Sequence, residues 1–158
     1  MSSPALPRRV AAWLAGLWCG AVAALGLVAA PVLFATLPRA AAGDVASHLF
    51  AVDAALGLVV GALLLVLTLN LARREAERGG SRFTVEMVLV LAALACIVAG
   101  HYALAPLLAG ARGDSGRFAL LHGVASVFFV VKLVAIAVVA WRLSGAGAAD
   151  ATASAPTS

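Results

Sequence analysis

Four long apolar runs decide what this chain can become. They extend from Val10 to about Phe34, from about Leu49 to Ala72, from about Val85 to Leu108 and from Phe118 to Trp141. Each passes the roughly 20 residues that an α-helix needs to cross hydrocarbon. Within a bilayer a spanning segment must satisfy its own backbone amides, and runs of this length do so as helices. The pattern predicts an all-α fold, an integral membrane bundle of four transmembrane helices. Composition agrees: 64% of the 158 residues are hydrophobic and 11% charged, outside the soluble range. The connections around Pro38–Ser47, Arg73–Arg82 and Gly110–Gly116 are too short for a further domain. The chain thus divides into an N-terminal segment 1–9, a transmembrane domain 10–142 and a tail 143–158 whose small polar residues predict disorder.

A net charge of +4 raises the question of nucleic acid. The arginines flank apolar runs and form no stripe, so they read as topology signals, and the expected partner is the lipid bilayer. Arg8, Arg9, Arg73, Arg74, Arg78, Arg82 and Arg142 fall on one side, and Arg39, Arg112 and Arg117 on the other. The positive-inside rule then predicts both termini in the cytoplasm and a multi-pass protein of the bacterial inner membrane. The first run exceeds the h-region of a signal peptide, and Trp18 before Cys19 departs from a lipoprotein signal. Cys19 and Cys96 lie inside apolar runs and define neither a disulfide framework nor a metal knuckle.

Small residues guide helix packing in lipid. Ala12, Gly16, Gly20 and Ala24 recur at spacing four, as do Gly57 and Gly61, with Asp53 one turn before Gly57. These faces are expected to pack inside the bundle, the alternative being a homo-oligomer or a membrane-protein partner held through the glycine faces.

The polar groups inside the runs are the functional candidates, because ionisable groups are costly there. His48, Asp53, His101 and His122 fall in the outer half when depth is counted along each run. Asp53, His101 and His122 are expected to form an outer cluster, read as a structural network, a substrate or ion site, or a metal site. His101 and His122 are the candidate metal ligands, although no local spacing such as HExxH supports them. Lys132 lies deeper, level with Cys19 and Cys96, and by Cα depth Asp53 and Glu86 fall too far away to pair with it. It is expected to be buried alone, capped by backbone carbonyls or water, or neutral. No nucleotide-binding or hydrolase motif occurs.

The segments GLWCGAVAALGLVAAPVLFATLPRAAAGDVASHLF and FALLHGVAS resemble an uncharacterised bacterial family of four-span proteins, domain of unknown function 4149. Its most specific elements are Ala30 to Phe34, then Leu121, His122, Gly123 and Ser126, and the likeness covers most of 10–142. The family is similar to the animal transmembrane protein 205-like group, which is associated with resistance to platinum drugs. That implies a membrane protein without an established activity, with a hint of export or trafficking of soft metal complexes. A more distant similarity, by residue type alone at His122 and Lys132, is to copper-resistance D-like proteins and a haem-pathway oxidase. The expectation is a membrane protein assisting transport of, or tolerance to, a metal or small solute through Asp53, His101, His122 and Lys132. It is more readily a non-enzyme than an enzyme, and no cofactor is expected. The alternatives are a redox protein holding haem or copper and a structural subunit of a membrane complex.

Overall fold

The computed structural model describes residues 5–77, 79–81, 83–111 and 113–153, with side chains described from Leu6 to Gly145. Among them no strand occurs, and four helices are long and apolar enough to cross a membrane: Leu6–Thr36, Arg39–Ala76, Val85–Gly110 and Ser115–Gly145. We call them the first to fourth helix. Each packs on the next, and the fourth closes on the first, so the second and fourth face each other across the bundle diagonal.

The helices outrun the apolar stretches. The second begins at Arg39, so most of the expected Pro38–Ser47 loop is helical. Hydropathy reports what hydrocarbon tolerates, whereas Ala40, Ala41 and Ala42 after Pro38 favour a helix in any solvent. Helical backbone likewise continues to Ala153, contrary to the disorder expected of the tail, whose alanines are good helix formers. Residues 154–158 of that tail, together with Arg78, Arg82 and Arg112, lie outside the described residues.

The first and third helices are interrupted alike. A π-helical segment Ala24–Ala29 precedes Pro31, and another, Val98–Leu104, precedes Pro106. Proline brings no N–H and its ring crowds the carbonyl four residues back. A wider turn lets that stretch of helix continue without a break.

Burial is unequal along the bundle. The core draws on Ala11, Ala15, Trp18 and Val22, on Ala54 and Leu64, on Val90, Ala93 and Ile97, and on Ala135, Ile136, Val139 and Leu143. All belong to the half that holds the start of the first helix and the end of the second. In the other half Ala42, Ala46 and Ala111 are the buried apolar residues among those described, and neither π segment buries a side chain. The bundle is close-packed at one end and loose at the other.

Packing at the tight end is a knob in a notch. Trp18 is 5% exposed and lies against Gly57 and Gly61, where an added Cβ would also meet Ile97 or Leu94 within 3 Å. Gly57 and Gly61 therefore lie in the packed interior. Gly16 and Gly20 are instead exposed and have nothing within 4 Å of a would-be Cβ. The buried face of the first helix is the adjacent one, Ala11–Ala15–Trp18–Val22. The reason is volume: one indole fills two glycine notches better than a second strip of small residues would.

That same end is tied by charge. Arg142 Nε donates to Glu86 Oε1 at 2.7 Å, and Arg8 lies 3.8 Å from Glu75. Thr84 caps the third helix by accepting from the Met87 amide, which places Glu86 in a first turn whose dipole favours an acid.

Candidate functional site, an ion pair across the bundle

The site grows from one contact. Lys132 Nζ donates to Asp53 Oδ2 at 2.6 Å, and the two side chains are only 8% and 11% exposed. This corrects two expectations: Lys132 is not alone, and Asp53 does not face an outer histidine cluster. Counting from Leu49 put Asp53 near the outer end, but its helix begins at Arg39, so Asp53 stands about 21 Å along it. Lys132 stands about 25 Å along the fourth helix from Ser115. The two helices run in the same direction, so the levels nearly match. The lysine stem, leaning towards its helix N-terminus, covers the remainder and the width of the diagonal.

Aromatic rings border the pair. Lys132 Nζ lies 5.2 Å from the centre of the Phe129 ring, and Phe129 meets Phe50 edge to face at 5.9 Å. Phe50 precedes Asp53 by three residues and Phe129 precedes Lys132 by three, so each ring sits one turn towards the loose end. Phe129 also fits against Gly26 in the first π segment, where a Cβ would collide with its ring. Only a residue without a side chain leaves that space. Cys96 is a buried electrostatic neighbour of Lys132. The buried Trp18 indole N–H has no acceptor among the described residues. Phe50, Phe129, Gly26 and Trp18 were not singled out for this site from sequence. The signal available was the repeated Phe-x-x-charge spacing, together with the opposite charges of Asp53 and the chain's single lysine.

The histidines lie elsewhere. His101 is half-buried in the second π segment with its ring edge-on to Tyr102, 5.0 Å between centres. His122 is exposed and stacks on Phe118 at 6.0 Å. His48 is exposed too, and its Nδ1 pairs with the Asp44 carbonyl at 2.8 Å. Neither His101 nor His122 bonds to Asp53 among the described residues. Among those residues no three His, Cys, Asp or Glu side chains converge as metal ligands would, and the two candidate metal ligands are not brought to one site. What the arrangement supplies chemically is one carboxylate, one ammonium on a lysine stem and a ring beside the ammonium.

Four spanning helices around an interior charge pair define a polytopic α-helical membrane protein. A family model, the domain of unknown function 4149, matches residues 13–117. The chain belongs to that family. The match includes Asp53, Phe50 and Gly26 but ends before Lys132, Phe129 and the FALLHGVAS segment. No curated protein matches, and no solved structure matches.

Proposed function

We propose that this chain assists the passage of, or tolerance to, a metal or small solute at the bacterial inner membrane, with both termini in the cytoplasm. The observation that carries this reading is the Asp53–Lys132 pair. A charge pair in a spanning bundle is costly to keep, and apolar side chains would hold two helices at less expense. Ionisable groups there are functional candidates by default, and pathways for ions and solutes are among the sites they mark. The pair also stands where close packing gives way to the looser half, as a binding group at the foot of an entry path would.

The test is survival of a bacterial host challenged with copper, zinc, a platinum complex and short amines, with and without the chain. Protection by the wild-type chain that Asp53→Asn abolishes is the expected outcome. Equal protection by both chains would end the assignment of function to the pair. Exchanging the charges, Asp53→Lys with Lys132→Asp, separates function from support. A merely structural pair keeps full protection after the exchange.

The open Gly16 and Gly20 face, flanked by Ala12, Trp13 and Leu17, favours a second reading, a subunit that holds a membrane partner there. Cross-linking through Gly20→Cys in native membranes tests it. Recovery of the uncross-linked monomer alone would remove that reading.

A further inference from the structure

We propose that Asp53 is a binding site for a small monovalent cation, that Lys132 is its resident substitute, and that Phe129 closes the site towards the loose end of the bundle. The proposal deepens the transport reading above by naming the class of ligand.

Residue choice is the first argument. Of eleven basic residues in the chain, ten are arginine, and the single lysine is the one buried against Asp53. Arginine would hold a carboxylate through two parallel hydrogen bonds and could not give up its proton, whereas lysine is a point charge on a flexible stem. A pair meant only to clamp two helices is better made with arginine, as the chain does between Arg142 and Glu86. A cation meant to leave is better made with lysine.

Incomplete satisfaction is the second. The ammonium has three donors, yet it makes one hydrogen bond, to Asp53 Oδ2, and one ring contact, to Phe129. Asp53 Oδ1 accepts nothing among the described residues. The lysine thus occupies the site without completing it. A competing ion has an oxygen to approach before Lys132 departs.

Charge fixes the class. When one monovalent ion takes the carboxylate, and the tethered Lys132 swings aside and hands its proton to water, the net charge of the site is unchanged. A divalent ion would leave a surplus positive charge in a region that penalises it. The route is given by packing. On the tight side Trp18, Gly57 and Ile97 are in contact. On the other side the covering groups are Phe129, seated in the Gly26 notch, and Phe50. Gly26 belongs to a π segment, and such segments disturb the regular hydrogen-bond ladder, so the ring is seated against the least regular part of the first helix.

Methylammonium reproduces the lysine head group and is the probe. Thermal unfolding of detergent-purified Lys132→Ala is followed in methylammonium chloride and in choline chloride at equal ionic strength. We expect methylammonium to raise its Tm by several degrees, saturably, and to leave Asp53→Asn/Lys132→Ala unmoved. An equal response of the two variants overturns the cation site. If Lys132→Ala is recovered folded only when purified in methylammonium, the site stands. Failure in both salts overturns it.

The closing role is read on the wild-type lysine. Reductive methylation of Lys132, followed by mass spectrometry, is expected to run at least tenfold faster in Phe129→Ala than in the wild type or Phe129→Leu. The comparison is made well below each Tm, and equal rates overturn the closing role. Binding without protection in cells would sink transport and keep the site. Protection with no Asp53-dependent binding would do the reverse.

Discussion

Asp53 and Lys132 each carry a charge that a membrane interior penalises, and each is tolerable because the other is 2.6 Å away. Removing one partner leaves the other buried and unpaired, a loss of about 3–5 kcal/mol, whereas removing both leaves no orphan. Asp53→Leu alone is therefore expected to lower stability by that amount, and Asp53→Leu/Lys132→Met to recover most of it. Reversible unfolding in mixed micelles measures both, and a double variant as weak as the single one would show that the site depends on shape and not on charge. The identities of both residues were plain in the sequence, but their meeting was not. Depth counted between Cα positions ignored the reach of the lysine stem, and depth counted from the edge of an apolar run ignored the helical turns that precede it. His101 and His122 stood out for the same reason, as polar letters in apolar text, yet one shares a π segment with Tyr102 and the other lies exposed against Phe118.

At the scale of elements, two glycine pairs with the same spacing have opposite environments. Gly57 and Gly61 receive Trp18, while Gly16 and Gly20 face open space. Gly61→Leu must displace Leu94 and the indole, and is expected to cost about 1–3 kcal/mol by overpacking. Gly20→Leu is expected to change stability by less than about 0.5 kcal/mol, as surface changes do. Parallel melting of the two variants in detergent checks the contrast, and similar losses would place Gly20 in an interface the monomer does not have. Truncating the knob, Trp18→Ala, is expected to cost about 3–5 kcal/mol, read in the same experiment. The spacing of four told which residues share a face of a helix. It could not tell which face turns inward, because that depends on where the one large residue finds room.

For the whole molecule, the number and identity of the spanning helices were legible because hydropathy over some twenty residues is a strong signal. The unequal packing of the two halves was not, and the π segments that run through the looser half leave no mark on hydropathy. The described Arg8, Arg9, Arg73, Arg74 and Arg142 all lie at the tight end, where Glu75 and Glu86 meet Arg8 and Arg142. The proposed orientation puts this end in the cytoplasm. A Ser81→Cys variant lacking Cys19 and Cys96 is expected to resist an impermeant thiol reagent in intact cells and to react after lysis. Reaction before lysis would invert the protein and send the entry path inward.

The second helix holds one more consequence. Its 38 residues make a rod of about 57 Å, against a hydrocarbon layer of about 30 Å. No ordinary tilt absorbs that difference. Some of the rod must stand in water, at one end through Arg73, Arg74 and Glu75 and at the other through the stretch after Arg39, which bears Asp44, Ser47 and His48. The chain therefore raises a stiff post at its loose end, and in the proposed passage whatever approaches Asp53 from that side meets a pillar, not a floppy loop.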